Sequence, residues 1–344
     1  MLDLKEIITR PEYKWIEEYK DRLCFLTFGG SHAYGTNVEG SDIDIRGVML
    51  PTKEELIGLK HFEQRIDDDT DTCIYEFNKF IKLISNCNPN TIELLGGRQY
   101  LIFNEVGQEL LDKANMFLSK RCINSFGGYA VAQLRRLENA LCHDAYTEAE
   151  QNKHIKDTIE VAMSKLEEKN QIFANHSITT KLDNDKLLLS IHIDDQPIEQ
   201  VRGTLNDIIT IEKNYNKLNQ RNTKKDIQHL NKHLMHLFRL YLMSFDLLEK
   251  GEINTFRKDR DFLLEIRNGK YLVNNKLTDE CVNYLHELEE RLNKDKELNV
   301  LPDKPNYDEI EKFVLEVNSK VINNTVLKYT EPLGLIRVGE DVIK

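Results

Sequence analysis

The segment FGGSHAYGT, at residues 28–36, is followed three residues later by GSDIDIRG at residues 40–47. An apolar run of strand length, residues 23–28, leads into the first segment, and the second continues into another such run that ends at Leu50. A third run, residues 72–75, precedes a helical pattern of apolar residues. These short apolar runs with glycine-rich connections predict a small α/β unit in the N-terminal part of the chain.

Two aspartates in the second segment, Asp42 and Asp44, alternate with Ile43 and Ile45. In an extended strand, alternate side chains point to the same face, so the two carboxylates are predicted to project together, about 6–7 Å apart along the backbone. Convergent carboxylates suit a hard divalent cation such as Mg²⁺ or Mn²⁺. A solvated strand end is the ordinary alternative for an isolated Asp-x-Asp.

The turn Gly29-Gly30-Ser31 lies where the first strand is predicted to run into a short helix. Glycine lets the backbone approach a ligand closely, and a helix N-terminus offers free N–H groups to phosphate. A Gly-Gly-Ser segment alone is usually a plain turn. Its combination with Ser41 and the two aspartates predicts a site for a nucleoside triphosphate.

Four segments carry a family resemblance: residues 30–36, 41–48, 72–80 and 88–95. Gly-Ser followed by Ser-Asp-Ile-Asp resembles the signature of the DNA polymerase β-like nucleotidyltransferase superfamily. The longer pattern is similar to the predicted nucleotidyltransferases found beside RNA-repair ligases. The resemblance covers nearly all of residues 23–95.

The resemblance implies a nucleotidyltransferase core that uses Mg²⁺ or Mn²⁺ and a nucleoside triphosphate. It implies that Asp42 and Asp44 are metal ligands, and it places Gly30, Ser31 and Ser41 at the nucleotide. The acceptor is expected to be an RNA end, with a protein side chain or a small molecule as alternatives. A non-catalytic nucleotide- or RNA-binding partner of a repair enzyme is the competing hypothesis. The sequence leaves the base and the oligomeric state open.

Such folds use a third carboxylate from a neighbouring strand, and Asp71 is the prediction. Glu76 is the alternative, and strand alternation predicts that the two face opposite ways. The acidic run at residues 67–69 is interpreted as a solvated turn. Arg46 shares the predicted strand face of Asp44, where it either neutralises phosphate or pairs with that aspartate.

A basic stripe marks the predicted helix at residues 225–250, where Lys or His or Arg recurs at helical spacing. Residues 224–270 hold ten Lys and Arg against seven Asp and Glu. A solvated face is the ordinary interpretation of such a stripe. The segment is also similar to the second-domain motif of the same subfamily, which implies that Lys232, His233 and Arg239 contact phosphate.

The predicted fold class is α+β, with a nucleotidyltransferase core at residues 1–110 and a mainly helical domain at residues 111–344. Residues 140–222 are predicted to form an insertion that contains a β-hairpin between residues 178 and 193. Further helices are predicted at residues 145–175, 198–218 and 307–323.

The composition excludes some classes of protein. The formal net charge of −11 over 344 residues argues against a general nucleic-acid coat, which requires an excess of Lys and Arg. The six cysteines lack a CxxC pair, which indicates reduced thiols and a cytoplasmic location. No apolar run is long enough to cross a membrane, so no membrane partner is expected.

Overall fold

The chain is described here from a computed structural model. The structure describes residues 2–145, 177–183, 186–192, 202, 205–206, 209, 227–274, 276–295, 299–338 and 341–343. Contacts divide it into two compact units. The first comprises Met1–Leu134, Asn231–Tyr271 and Thr278–Lys344, and the second comprises Arg135–Leu230 and Leu272–Leu277. The domain limits 1–110 and 111–344 remain a prediction.

Strands are found throughout the described residues: β1 Leu23–Phe28, β2 Ile45–Met49, β3 Gln64–Asp67, β4 Thr72–Glu76, β5 Gln99–Asn104, β6 Ser177–Asp183, β7 Lys186–His192, β8 Leu272–Val273, β9 Lys276–Leu277, β10 Lys328–Val338 and β11 Asp341–Ile343. Seven of them form one sheet in the order β11-β10-β5-β1-β2-β4-β3. Within it β2 and β4 run parallel, and the other neighbours are antiparallel.

Helices in the described residues are α1 Leu4–Ile7, α2 Gly30–Tyr34, α3 Lys53–Ile57, α4 Phe77–Ser85, α5 Pro89–Ile92, α6 Glu105–Asp112, α7 Arg121–Ala145, α8 Ile227–Phe245, α9 Arg260–Arg267, α10 Asp279–Asp295 and α11 Tyr307–Ile322. Together with the sheet they confirm the α+β fold class. None of the described helices is long and apolar enough to cross a membrane.

The centre of the sheet is β1, which has the predicted boundaries. Both of its faces are buried. Leu26 belongs to an apolar cluster that also contains α1, while Phe25 meets Phe80 of α4 edge-on, with ring centroids 6.2 Å apart. Burial on both faces explains why the strand is continuously apolar rather than alternating.

Several local predictions are confirmed. The hairpin forms from β6 and β7, with Asp183 paired to Lys186. The helix predicted at residues 225–250 appears as α8 followed by a π-helical turn, and Gly251 ends it with φ +69°. Helix α11 ends one residue before the predicted limit. The predicted helices at 145–175 and 198–218 lie largely outside the described residues.

The strands β3, β5, β10 and β11 were not predicted. The position of β10 follows from pairing with β5, in which Leu333 lies opposite Ile102. This pairing joins residues far apart in the sequence, so no local sequence pattern predicts it. The C-terminal part of the chain is therefore a component of the same sheet as the N-terminal segments.

Candidate active site

The glycine turn after β1 lies against the second acidic segment. The backbone N–H of Gly29 donates to the backbone oxygen of Asp44 over 2.8 Å. Gly30 has φ +53°, and a Cβ atom built on it would overlap the carboxylate oxygen Oδ2 of Asp44. Glycine is therefore needed at this position both for backbone conformation and for room. Ser31, half-buried, follows in α2.

The two aspartates of the Asp-x-Asp segment precede β2 rather than lie within it. The strand begins at Ile45 because its partners end there, with Phe28 opposite Ile45 on one side and Thr72 opposite it on the other. The Asp44 side chain is 16% exposed, whereas Asp42 is exposed. Strand alternation therefore does not govern the direction of these two side chains.

Ser41, which precedes them, shapes the loop that brings the chain to β2. Its hydroxyl oxygen accepts a hydrogen bond from the backbone N–H of Val38 over 2.9 Å. The side chain of His32 also hydrogen-bonds the backbone of Ser41. The loop is thus tied both to itself and to α2.

The two candidate third carboxylates lie in different surroundings. Asp71 immediately precedes β4, with φ +43°, and its carboxyl hydrogen-bonds that of Asp44. Glu76 is buried and caps α4, where it accepts from the backbone N–H groups of Asn78 and Lys79, each over 2.9 Å. The structure therefore brings Asp71, and not Glu76, to Asp44.

Arg46 lies between the two carboxylates. Its Nη2 atom is 3.0 Å from Oδ1 of Asp71 and 3.4 Å from Oδ1 of Asp44, and its Nη1 donates to the backbone oxygen of Asp71. The guanidinium thus fixes Asp71 in its unusual backbone conformation. Of the two expectations for Arg46, pairing with Asp44 is the one observed.

Burial and the hydrogen bond to Asp71 raise the pKa of Asp44 to about 7. The pKa of Asp71 is lowered, chiefly by the same hydrogen bond, in which Asp44 is the donor. The pair therefore shares a proton near neutral pH, because two adjacent carboxylates resist carrying two negative charges. A cation at this position would relieve that repulsion.

Lys232, near the start of α8, faces this acidic pair. It is exposed, and its ammonium group is close enough to lower the pKa of both Asp44 and Asp71, although burial and their mutual hydrogen bond have larger effects. His233 is half-buried beside it. An exposed cation that faces two carboxylates is suited to hold an anionic substrate next to them.

Arg239 lies elsewhere, although the sequence placed it in the same basic stripe. Its guanidinium is 4% exposed and its Nη1 atom is 2.7 Å from Oε1 of Glu93. It stacks 3.7 Å above the ring centre of Tyr34, whose hydroxyl donates to Oε2 of Glu93 over 2.6 Å. Burial alone would lower the pKa of Arg239, but the Glu93 carboxylate raises it. The structure thus holds Arg239 in an internal ion pair that anchors α2 to α8.

His236, one turn before Arg239, is half-buried. Its ring meets that of Tyr34 edge-on, with centroids 6.1 Å apart. Burial lowers the pKa of His236 to about 3, and the charges of Arg239, Lys232 and neighbouring cations add to the effect. The stripe therefore runs from solvent into the interior along α8, and it is not a uniformly solvated face.

Glu93 is the residue of this region that sequence reasoning did not single out. It lies in the motif at residues 88–95, between apolar neighbours, and is 4% exposed. An acid inside an apolar segment signals a buried partner, because an unpaired buried charge is costly. Nothing in the sequence identifies that partner as Arg239, 146 residues away.

The residues next to the ends of β2 and β4 supply some, but not all, of the ligands that a hard divalent cation needs. Asp44 and Asp71 supply carboxylate oxygens, which such ions prefer. Within the described residues, however, no group of three His, Cys, Asp or Glu side chains is arranged to hold a metal. Asp42 is not gathered with the other two.

Comparison with known proteins places this geometry in a family. The sequence profile of the RlaP family, described as the RNA repair pathway DNA polymerase beta family, matches residues 4–175. No curated protein and no solved structure matches the chain. The match spans α1 to α7 and includes the glycine turn, the Asp-x-Asp segment and Asp71. The chain therefore belongs to the RNA repair pathway DNA polymerase beta family.

Proposed function

We propose that this protein is a metal-dependent nucleotidyltransferase that joins a nucleotidyl group from a nucleoside triphosphate to an acceptor hydroxyl. The observation that carries the proposal is the meeting of the Asp44 and Asp71 carboxyls beside Gly30, with Lys232 facing them. Family membership supports the same reaction class. The free thiols of the described cysteines are in keeping with a cytoplasmic location, which is part of this proposal.

In this mechanism the protein contributes position and charge. Asp44 and Asp71, with Asp42 as a further ligand, would hold Mg²⁺ or Mn²⁺, which supplies positive charge to the triphosphate and to the acceptor oxygen. The turn at Gly30 and Ser31, with Ser41 beside it, would receive the phosphates. Lys232 and His233 would neutralise phosphate oxygens on the opposite side. Arg239 would act indirectly in this scheme, by fixing α2 through Tyr34 and Glu93.

The test is transfer of label from α-labelled nucleoside triphosphates, with Mg²⁺ or Mn²⁺, into RNA, protein or small molecules. The proposed acceptor is an RNA end, and the family description supports that choice. Label in RNA is the expected result. Label found only in protein or in a small molecule would refute the RNA acceptor while keeping the reaction class.

The variants Asp44→Asn and Asp71→Asn are expected to lose transfer, because each removes a charge from the cation position. Asp69→Asn is the matched control, since Asp69 is exposed in the turn just before Asp71. Full activity in Asp71→Asn would contradict the assignment of the third carboxylate. Circular dichroism of each variant would establish that the loss is not caused by unfolding.

A second candidate function is a non-catalytic nucleotide- or RNA-binding partner of a repair enzyme. The position of Asp42 favours it, because this side chain is exposed and the described residues contain no three-ligand metal group. Two results together would support this candidate. The protein would bind the triphosphate without transferring it to any acceptor, and Asp42→Asn would bind it equally well.

A further inference from the structure

Two cysteines remote from the residues proposed for catalysis form a buried thiol pair. Cys87 follows α4 in the turn before α5, and Cys122 is the second residue of α7. Their exposed fractions are 0% and 1%. The backbone oxygen of Ser119 accepts from the backbone N–H of Cys122 over 2.9 Å and lies 3.9 Å from the Cys87 sulfur, and the Cys122 thiol donates to that of Cys87. Cys87 has φ +52°, a conformation that non-glycine residues rarely adopt. The backbone thus holds one thiol against the other.

Polar groups at the start of α7 surround the Cys87 sulfur. Ser119 contributes its hydroxyl at 3.6 Å and its backbone oxygen at 3.9 Å, and the backbone oxygen of Phe117 is at 3.8 Å. The guanidinium of Arg121 is nearby and donates to the side chain of Asn86 over 2.9 Å. Cys87 therefore faces hydrogen-bond partners and a positive charge rather than an apolar core.

This environment favours the thiolate form of Cys87. The hydrogen bond from Cys122 lowers the pKa of Cys87 to about 7, and Ser119 and Arg121 contribute in the same direction. The pKa of Cys122 is raised, because the neighbouring sulfur disfavours a second negative charge and burial adds to the effect. One thiol is thus prepared to attack as a thiolate and the other to remain protonated until needed.

We propose that Cys87 and Cys122 are a peroxide-oxidisable site that closes to an internal disulfide. The Cys87 thiolate attacks one oxygen of hydrogen peroxide and breaks the O–O bond, which yields a sulfenic acid at Cys87 and, after protonation, one water. The Cys122 sulfur then attacks the Cys87 sulfur and displaces the second oxygen as water. The sum is two thiols and one hydrogen peroxide giving one disulfide and two waters.

The residues on either side of Cys87 reach the surface. Asn86, directly before Cys87, is exposed, and Asn88, directly after it, is half-buried. The contacts that both cysteines make with Ser119 place the two thiols close enough for a bond after a modest approach. The link would join the turn before α5 to the first turn of α7.

Other described cysteines provide internal comparisons. Burial raises the pKa of Cys24, and it raises that of Cys281 to about 12. Cys73 is only partly buried, yet burial raises its pKa as well. Cys73 is thus the more accessible thiol, whereas Cys87 is the more readily ionised one. Comparing their rates of oxidation therefore distinguishes the effect of accessibility from that of thiolate formation.

The test is mild hydrogen peroxide treatment of the reduced, folded full-length chain, followed by alkylation of free thiols and non-reducing trypsin digestion. The expected product joins peptide 83–98 to peptide 122–135 and is two hydrogens lighter than their sum. It should form at least about tenfold faster than oxidation of Cys73 at pH 7, because the thiolate reacts. Dithiothreitol should reverse it. Recovery of both peptides alkylated, oxidation of Cys73 first, or a link that forms only in urea would overturn the proposal.

The variant Cys122→Ser provides a second measurement, since a serine hydroxyl preserves a hydrogen-bond donor to Cys87. It should accumulate the Cys87 sulfenic acid, which dimedone traps, and it should form no link. Absence of dimedone adduct at Cys87 would count against the attacking role of this thiol. The wild-type peptide map decides the proposal even where this variant folds poorly.

Discussion

Replacement of Glu93 by Gln tests the internal ion pair that joins α2 to α8. In the native chain one oxygen of Glu93 accepts from Arg239 and the other from Tyr34, at 2.7 and 2.6 Å. Glutamine keeps the shape but has one oxygen in place of two. Its amide nitrogen must then face either the guanidinium or the hydroxyl, and the Arg239 charge loses its counter-ion.

The expected cost in the free energy of unfolding is about 3–5 kcal/mol, the usual range when one partner of a buried ion pair is removed. The side chains of Glu93 and Arg239 are 5% and 4% exposed, so water cannot replace the lost partner. The Nε atom of Arg239 is already buried without a hydrogen-bond partner among the described residues, which leaves no alternative contact from that atom. The full range therefore applies.

Urea unfolding followed by circular dichroism at pH 7.5 measures this cost. Glu17→Gln is the matched control, because Glu17 pairs with Lys20 on the surface, where their side chains are 74% and 49% exposed. That variant should change stability by less than about 1 kcal/mol. A loss below about 1 kcal/mol in Glu93→Gln would refute the reasoning.

A double variant separates the charge from the packing. Glu93→Gln combined with Arg239→Met removes both charges and retains most of the side-chain volume. Because replacement of a whole buried ion pair is often nearly neutral, this variant should be more stable than Glu93→Gln alone. Equal or lower stability would show that the unpaired charge is not the source of the loss.

Three further outcomes follow from the same region. His236→Gln should make the free energy of unfolding depend less on pH in the acid range. The pKa of His236 is lowered to about 3 in the folded state, so the unfolded chain takes up the proton first as the pH falls. The native protein therefore loses stability below about pH 6.5, by about 2 kcal/mol at pH 5, and the variant should not. An unchanged slope in thermal melts at pH 5–7 would contradict this. Gly30→Ala should lower the free energy of unfolding in urea clearly more than Gly40→Ala does. Both glycines have positive φ, but only at Gly30 would the new methyl group overlap Asp44, since nothing lies within 4 Å at Gly40. Equal costs would argue against that contact. Arg46→Gln should raise the pKa of Asp44 further, because the guanidinium now lowers it; carbon-13 NMR titration of the carboxyl measures the shift, and a fall would contradict the bridging position.

Much of the N-terminal region was predictable because its signals are local. An apolar run buried on both faces gives β1 its sequence boundaries, and the glycine turn after it needs a backbone that only glycine adopts easily. The prediction of Asp71 as the third carboxylate came from the family resemblance and from its place at the start of a predicted strand. The hairpin of β6 and β7 depends on residues close in the chain, and it appears where predicted.

The sequence by itself determined the elements with a local pattern, such as β1 and the hairpin of β6 and β7, and the chemistry available: carboxylates, a glycine turn and a basic stripe. Tertiary structure alone decided which of those groups meet. Pairing with β1 and β4 makes β2 begin at Ile45, which leaves Asp44 outside the strand and against Gly30, and long-range pairing brings β10 to β5. Lys232 and Arg239 share one stripe, yet one faces the acidic pair and the other is buried on Glu93. The reason is physical: helical spacing fixes the face of a residue, whereas burial depends on what packs there, and a buried charge needs a partner from elsewhere in the chain.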